Sequence, residues 1–487
     1  MKIALLNPPY LPGFSRFSRS PAVTRSGTIY YPIWHAYAAG LLEREGHEVM
    51  LIDAPAQRLT MTDCLSLIKD FSPGMTAVYT STPSIVNDIE CAAAIKIIMP
   101  SSFMALTGPH VSALPDQTLS MDERIDAVAI GEYDLTLLEL ASTIESGGDI
   151  DGVPGLVIRT NGKVEPTAAR AHIEDLDSLP FVSSVYKRHA RIEDYFYAHC
   201  RYPVVSIFTS RGCNARCDYC VYPQTVFGRR HRQRSPENIV EEFRYIEKEL
   251  PQTKEVLIDD DTFSFDKAHT LEFAELMIRS RVKLPWTVEC RANLDFETLS
   301  AMKRAGCRLV VAGFESADDA ILRNIKKGIT VERMRRFALD ARRAGIMIHA
   351  CFMAGNRGET METLKRTLAF AKEIRPDTCQ FFPLMVYPGT EAYAWARGNG
   401  YLESEDFADW LTPEGLHNCL VSTPEVSARE LVEFCDFARR SFYLAPGYIS
   451  YKVRRLLAEP REMRRTAKSA RIFLKHLMSG NKVKDAA

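Results

Sequence analysis

The chain reads Ser210-Arg211-Gly212-Cys213-Asn214-Ala215-Arg216-Cys217-Asp218-Tyr219-Cys220 directly after an apolar run, and this stretch holds three of its twelve cysteines. The C-x3-C-x2-C spacing lets three thiolates on one short loop bind a four-iron cubane without a long loop closure. Because a cubane has four irons, three protein thiolates leave one iron open to a substrate or cofactor. The stretch therefore predicts a [4Fe-4S] cluster bound by Cys213, Cys217 and Cys220.

The cysteine stretch has two other interpretations. A structural zinc site needs a fourth Cys or His nearby, and His231 is too far along the chain for a standard zinc-finger spacing. Cysteines that merely fill a core would not be expected beside Arg216 and Asp218, which are charged. We therefore prefer the iron–sulfur interpretation, with a non-catalytic Fe–S or zinc-binding protein as the alternative.

The cysteine stretch follows the first of a series of apolar runs that alternate with helical patterns. The runs are Val204 to Ser210, Glu255 to Asp260, Trp286 to Ala292, Arg308 to Ser316, Ile346 to Gly355 and Cys379 to Tyr387. Parallel strands joined by helices curl around an interior that alternate side chains line. We therefore predict a partial (β/α)6 barrel over residues 201–395. In the third run Thr287, Glu289 and Arg291 alternate with Val288 and Cys290, which indicates a polar interior.

Residues 1–150 show the pattern of an α/β, doubly wound, Rossmann-like domain. Its apolar runs are Lys2 to Leu6, Glu48 to Asp53, Met75 to Thr80, Phe103 to Gly108 and Asp126 to Gly131, with helical stretches between them. The loops after these runs are small and polar, and the carboxyl ends of such strands form the natural ligand crevice. Residues 151–200 are predicted to be a connector with a hairpin near residue 162.

Residues 396–487 are predicted to form a helical C-terminal region. Its end, Tyr451 to Lys484, carries eleven Lys or Arg against two Glu, with apolar residues at intervals. A basic amphipathic segment of this kind favours peripheral contact with an anionic membrane surface, and a solvated helix closing the domain is the plainer alternative.

Composition and charge exclude several classes of protein. The formal net charge of -1 gives no reason to expect nucleic acid as a partner. The apolar run at the start is short and interrupted by Pro8, unlike a secretory signal or a membrane span. We therefore expect a cytoplasmic protein, in which the cysteines stay reduced.

The second series of runs resembles the radical SAM core, where SAM is S-adenosylmethionine. In that family C-x3-C-x-aromatic-C follows the first barrel strand, and the open iron takes the amino and carboxylate groups of SAM. The resemblance extends over the segments Ile258 to Phe263, Glu289 to Asn293, Gly313 to Ser316 and Ile325 to Gly328. It implies that SAM is bound by Tyr219 at the aromatic position and by Asp260, Arg291, Glu315 and Gly355.

The fifth run departs from this family in one place. Relatives often read G-x-P-G-E-T, whereas this chain reads Gly355-Asn356-Arg357-Gly358-Glu359-Thr360. On the same run His349 and Cys351 fall on one face. They are candidate catalytic residues for proton transfer or radical contact, with core packing as the alternative for each.

The N-terminal half resembles the cobalamin-binding-type domain of the B12-binding radical SAM group. The matching segments are Asn7 to Pro9, Leu42 to Val49, Gly108 to Val111 and Gly131 to Glu132. No histidine lies in an Asp-x-His-x-x-Gly arrangement, so a bound corrin would lack the lower ligand of that motif. The resemblance therefore leaves open whether cobalamin is a cofactor.

Within that group the chain looks most like the hopanoid-biosynthesis HpnJ-type proteins, through the segments Tyr30 to Trp34, Leu51 to Pro55, Tyr222 to Thr225 and Tyr387 to Thr390. This resemblance implies a small-molecule or glycolipid substrate and an electron donor such as flavodoxin or ferredoxin. The reduced cluster would cleave SAM to a 5′-deoxyadenosyl radical, which abstracts hydrogen from a sugar or sugar-bearing lipid for rearrangement or elimination. Cobalamin-dependent radical methylation is the alternative reaction.

Overall fold

The computed structural model describes residues 1–160 and 162–458, and the first half forms a seven-stranded sheet. The strands of this half are β1 Lys2–Asn7, β2 Phe14–Ser15, β3 Ala22–Val23, β4 Glu48–Asp53, β5 Met75–Tyr79, β6 Phe103–Thr107, β7 Ala127–Ala129, β8 Leu156–Thr160 and β9 Lys163–Pro166. The sheet order is β4-β1-β5-β6-β7-β8-β9, and the first five of these strands are parallel. The doubly wound prediction is confirmed, and β1 and β5 lie on either side of the point where the connections reverse direction.

The antiparallel pair β8–β9 continues this sheet beyond residue 150. The segment predicted to be a connector thus contributes its first part to the N-terminal sheet. The short strands β2 and β3 pair with each other and lie in the loop that follows β1.

The second half forms a six-stranded, wholly parallel sheet in the order β10-β13-β14-β15-β16-β17, as predicted for a partial barrel. Its strands, together with a two-stranded ribbon β11–β12, are β10 Val204–Ile207, β11 Ser210–Arg211, β12 Arg232–Gln233, β13 Glu255–Ile258, β14 Trp286–Arg291, β15 Cys307–Glu315, β16 Met347–Ala354 and β17 Thr378–Pro383. Trp286 and Val288 are buried under the helices, so Glu289 and Arg291 point to the opposite, inner face.

Helices cover both sheets. They are α1 Ile33–Arg44, α2 Ala54–Gln57, α3 Met61–Phe71, α4 Ile85–Ile98, α5 Pro109–Ala113, α6 Pro115–Met121, α7 Asp134–Ser146, α8 Val182–His189, α9 Val221–Thr225, α10 Pro236–Glu249, α11 Lys267–Arg279, α12 Phe296–Arg304, α13 Asp319–Asn324, α14 Val331–Ala344, α15 Met361–Ile374, α16 Glu391–Gly398, α17 Ala428–Tyr443 and α18 Pro446–Ala458. Of the described helices, none combines the length and the apolar character needed to cross a membrane.

The C-terminal region is only partly helical. Residues 399–427 form an irregular segment with one short 3-10 turn, Phe407–Trp410, which packs against a second 3-10 turn, Thr82–Ser84, after β5. Helices α17 and α18 follow, and α17 packs along β17. Most of the predicted basic segment, residues 459–484, lies outside the described residues.

One buried ion network joins the two sheets. Arg211 on β11 donates to Glu132 Oε1 at 2.6 Å and to Asp134 Oδ2 at 2.7 Å, and both carboxylates lie just after β7. Arg232, its neighbour on β12, donates to Glu132 Oε2 at 2.8 Å. Burial alone would raise the pKa of Glu132, but the two arginines hold it below its usual value. The first residues of the cysteine stretch are thereby fixed to the N-terminal sheet.

We predict that Arg211→Met lowers the free energy of unfolding by about 3–5 kcal/mol, because it leaves buried carboxylates without their cation. The matched control is Arg124→Met, which removes a surface pair with Asp122 and should cost less than about 1 kcal/mol. Urea denaturation of both variants measures the difference. Equal, small losses would show that the buried network does not hold the two halves together.

Candidate active site

The three predicted ligand cysteines lie on one loop at the carboxyl end of the barrel. The loop begins at Gly212, whose φ of 78° is the left-handed conformation and whose missing Cβ leaves room for the backbone oxygen of Arg230. Cys213 and Cys217 are buried, and Cys220 is partly exposed. A side chain at position 212 would push the loop away from the segment that supports it.

The surroundings of these thiols shift their pKa values in opposite directions. Cys217 accepts a hydrogen bond from Cys220, and this bond, together with the charges of Lys327 and Arg291, lowers the pKa of Cys217 to about 5. The same bond raises the pKa of Cys220, and burial raises that of Cys213. This pairing favours loss of the Cys217 proton, and the thiolate is the form that binds iron.

Within residues 1–160 and 162–458, no group of three or more His, Cys, Asp or Glu side chains is arranged to hold a single metal ion. The ring of His231 lies beside Phe265, with its centroid 5.0 Å away. A cubane has an iron for each thiolate, so its ligands need not meet at one point.

Tyr219 and Glu315 meet in a polar group beside the cysteines, and Lys327 completes it. Lys327 Nζ donates to Glu315 Oε1 at 2.8 Å and to the Tyr219 hydroxyl at 3.2 Å, and that hydroxyl donates to Glu315 Oε1 at 3.1 Å. Arg291 donates to the backbone oxygen of Lys327. Two cations and one carboxylate thus lie together next to Cys217. Sequence reasoning did not single out Lys327, although it falls in a segment that resembles the family.

The backbone at Glu315 is strained. Its φ is 63°, a conformation that non-glycine residues adopt rarely and at a cost of order 1–3 kcal/mol. The register between β15 and β16 shifts between Gly313 and Glu315. A Cβ at position 313 would overlap the Glu315 carboxylate and lie 2.8 Å from Lys327 Nζ. The bulge and Gly313 together direct the Glu315 carboxylate into the polar group.

Asp260 lies apart from this group. Its Oδ1 accepts from the backbone N–H groups of Thr209 and Ser210 at 2.7 and 3.2 Å, and its Oδ2 accepts from their two hydroxyls. The residue is fully buried. Its carboxylate is therefore occupied in holding the backbone that leads into the cysteine loop.

The remaining predicted residues are spread along the barrel. Gly355 has a φ of 97° and donates its N–H to Glu359 Oε2 at 2.8 Å. Cys351 is close to Glu315 and Glu289, and burial raises its pKa further above its usual value. His349 lies near the amino end of β16, where Nδ1 is 2.7 Å from Thr378 Oγ1, so the structure does not bring it to the cysteines.

A loop from the N-terminal half reaches into the barrel opening, which the sequence did not predict. Arg19 donates to Asp259 Oδ1 at 2.6 Å and to Asp261 Oδ1 at 3.3 Å, and it lies 3.0 Å from Glu289 Oε2. Burial and the neighbouring Asp259 raise the pKa of Glu289 to about 8. Three carboxyl groups of the barrel interior thus meet one cation from the other domain.

The same loop occupies part of the ligand crevice of the first sheet. Arg16 is fully buried and donates to Asn7, Ser84 and Asp88 at 2.6, 3.1 and 2.8 Å, so its guanidinium lies between the ends of β1 and β5. Phe17 stacks on Tyr79 with a centroid distance of 3.8 Å.

The rest of the carboxyl end of this sheet contains buried polar atoms that have no hydrogen-bond partner among the described residues. They are His35 Nδ1, Tyr79 OH, His110 Nε2 and Tyr133 OH. Burial lowers the pKa of both histidines to about 3, so they are neutral. Gly108, with a φ of 116°, passes so close to Thr80 that a Cβ would lie 2.5 Å from its backbone oxygen. Unsatisfied polar atoms beside a close backbone approach suit a polar ligand such as a corrin.

Comparison with known proteins agrees with this arrangement. Residues 207–371 match the radical SAM superfamily, and residues 19–141 match the B12 binding domain. The chain is 31% identical over 447 residues to the uncharacterized methyltransferase PH0819 of Pyrococcus horikoshii, covering 92% of this chain and 93% of that protein. It is 26% identical to the anaerobic magnesium-protoporphyrin IX monomethyl ester cyclase of Rubrivivax gelatinosus, covering 86% of this chain and 75% of that protein.

Among solved structures, the chain is similar to the radical SAM methyltransferase TsrM of Kitasatospora setae with cobalamin and a [4Fe-4S] cluster bound. The TM-score is 0.66 at 20% identity, over 82% of this chain and 75% of that one. This likeness shows that the two share a fold. The resemblance to hopanoid-biosynthesis proteins is not confirmed and stays a prediction.

We predict that Asp260→Ala lowers the iron bound per chain and the free energy of unfolding by about 3 kcal/mol or more, because four buried donors lose their acceptor. Asp266→Ala is the control on the same loop, since it removes an exposed helix cap worth about 1 kcal/mol. Iron analysis and urea denaturation test both variants. If Asp260→Ala binds as much iron as the wild-type protein, a direct role of Asp260 in binding a ligand is favoured instead.

Proposed function

The chain belongs to the radical SAM superfamily, in the group with an N-terminal B12-binding domain, and from this premise we propose that it is a cobalamin-dependent methyltransferase. It is an enzyme of a family that takes electrons from a reductant. Methyl transfer is favoured over the rearrangement or elimination of a sugar, because a relative that is 31% identical over 92% of this chain is named a methyltransferase.

The observation that carries the proposal is the fixed junction between the two halves. Arg211 belongs to the stretch that carries the cysteines, and it is ion-paired in the core with Glu132 and Asp134 of the B12-type sheet. These ion pairs would hold the proposed cluster site and corrin site in a fixed relation, as a methyl transfer between cofactors requires. When bound, the cluster supplies an electron to SAM, and cobalamin supplies a carrier for the methyl group.

Cys213, Cys217 and Cys220 fit the cluster, because they share one short loop and two cations, Lys327 and Arg291, lower the pKa of Cys217. For SAM, Arg291 and Lys327 would attract the carboxylate of its methionine, and Glu315 would accept from its amino group. Tyr219 holds the Glu315 carboxylate in place from the other side.

The polar atoms of His35, Tyr79, His110 and Tyr133 would hold cobalamin by hydrogen bonds to its amide side chains. All four are buried at the edge of the first sheet and lack partners among the described residues. His35 and His110 are neutral, so they can each donate or accept. Cys351 lies inside the barrel next to Glu289 and is the candidate for contact with the substrate.

A second candidate function is a radical reaction without methyl transfer. The named activity of the Rubrivivax gelatinosus relative is a cyclisation, and that relative covers most of this chain. The products separate the two candidates, because methyl transfer forms S-adenosylhomocysteine and adds one methyl group to the substrate.

The test is anaerobic turnover of the cluster- and cobalamin-loaded enzyme with SAM, a reductant and candidate substrates. We expect S-adenosylhomocysteine and a product heavier by one methylene unit, both measured by mass spectrometry. Cys217→Ala should abolish formation of the methylated product while the protein stays folded by circular dichroism. SAM cleavage without any methylated product, or undiminished methylation by Cys217→Ala, would contradict the proposal.

We predict that Gly313→Ala weakens SAM binding at least about tenfold, because the new methyl group would displace the Glu315–Lys327 pair. The control is Gly398→Ala, since a Cβ there meets nothing within 4 Å. Equilibrium binding of SAM to each cluster-loaded variant, with iron content checked, measures the effect. Unchanged affinity in Gly313→Ala would place SAM elsewhere.

A further inference from the structure

The solvent-facing side of the cysteine loop carries a group of cations, which we call the basic collar. Its members are Arg216, Arg229, Arg230, Lys326 and Arg357. Arg216 is exposed between two of the cysteines and, in the part of the chain that the structure describes, forms no ion pair or hydrogen bond. From this surface we infer that the basic collar is the docking site for a small acidic protein that delivers one electron to the cluster.

Backbone contacts fix the collar against the cysteine loop. Cys213 donates its N–H to the Gly228 oxygen at 3.4 Å, and His231 donates its N–H to Asn214 Oδ1 at 2.9 Å. On the other side Asp218 donates its N–H to the Ile325 oxygen at 3.2 Å, which places Lys326 next to the loop. The collar therefore surrounds the place where the loop meets solvent.

The charges of the collar are only partly compensated. Arg230 is 74% exposed and pairs with Glu174, which is itself 57% exposed, and Lys326 pairs with the exposed Glu391. Arg357 lies 3.5 Å from Asp218. Five cations thus face three carboxylates. A local positive surface on a chain whose overall net charge is -1 attracts an acidic partner specifically to this face.

Arg229 differs from the other members of the collar because it supports the backbone of the cysteine loop. It donates to the backbone oxygen of Ala215 at 2.6 Å and lies near that of Cys217. Its replacement would disturb the cysteine loop itself. Arg216 and Arg230 point to solvent, so their charges can be reversed without removing a contact to the loop.

Two other sides of the cysteine loop face the rest of the chain. The barrel opening holds Arg19 of the N-terminal loop, and Arg211 fixes the first domain beside the cysteine stretch. A protein donor therefore reaches the cluster most directly through the collar. Its reduced redox group loses one electron, the cluster gains it, and no bond is formed or broken. Encounters of this kind use small, charge-steered interfaces.

This inference rests on the proposed function, since it requires a cluster in the loop. The test uses the full-length, cluster-loaded protein without SAM or substrate. Reduced flavodoxin, an acidic one-electron carrier, is mixed with the protein, and stopped-flow absorbance follows cluster reduction. We expect the wild-type rate constant to fall as ionic strength rises from about 0.01 to about 1 M, because the screening length falls from about 30 to about 3 Å.

Charge reversal in Arg216→Glu/Arg230→Glu should lower that rate constant about tenfold at low ionic strength, and the difference should vanish at high ionic strength. The matched control is Arg279→Glu. Arg279 is exposed at the end of α11, where a barrel helix returns to the amino ends of the strands, and its reversal should leave the rate unchanged. Photoreduced deazariboflavin, which is small and uncharged, should reduce all three proteins equally.

Undiminished reduction of the double variant by flavodoxin, or a wild-type rate that does not respond to salt, would overturn the docking site. If the double variant binds less iron, Arg230→Glu alone, outside the cysteine loop, decides the question in the same assay. If flavodoxin reduces the cluster at the expected rates but no methylated product forms in the turnover assay, the methyltransferase proposal is rejected and the docking site is retained. A wild-type protein that assembles no cluster would reject both.

Discussion

The architecture depends on the buried pairing of Arg211 and Arg232 with Glu132 and Asp134. Arginine is suited to this place, because its planar fork engages two carboxylates at once and its stem packs on aromatic rings. The rings of Trp34, Tyr37 and Phe227 lie 5.0–5.5 Å from the Arg211 guanidinium carbon. Since each partner would be costly to bury alone, the network fixes one relative placement of the two halves.

A second constraint acts inside the barrel, where a strained backbone conformation positions a carboxylate. Glu315 adopts a left-handed backbone conformation at a bulge, and only a glycine at position 313 leaves room for its carboxylate. The pairing with Lys327 and Tyr219 offsets that cost. An electrostatic site that is held rigidly before a ligand arrives loses little free energy on reorganisation.

What the sequence could predict follows from the range of the interactions. The cysteine spacing and the alternation along β14 are local patterns, so Cys213, Cys217, Cys220 and Arg291 could be chosen from the sequence alone. Arg19 and Glu289 are 270 positions apart in the chain, and no local pattern links them. Asp260 was chosen by resemblance to the radical SAM core, but only the structure shows that its oxygens already accept hydrogen bonds from Thr209 and Ser210. The contact of Lys327 with Glu315 depends on the bulge at Glu315, and no spacing in the sequence indicates that bulge.

The loop after β1 connects the two ligand regions through two arginines. Arg16 fills the reversal point of the first sheet and Arg19 fills the barrel opening, and three residues span at most about 11 Å of extended chain. Ser20 continues the connection, with its hydroxyl 3.0 Å from both Tyr387 and His417. A ligand that displaces Arg16 from the first sheet, or Arg19 from the barrel opening, therefore disturbs a loop that is also held in the other region. Asp259, Asp261 and Glu289 of the barrel thus meet a cation that the first domain supplies.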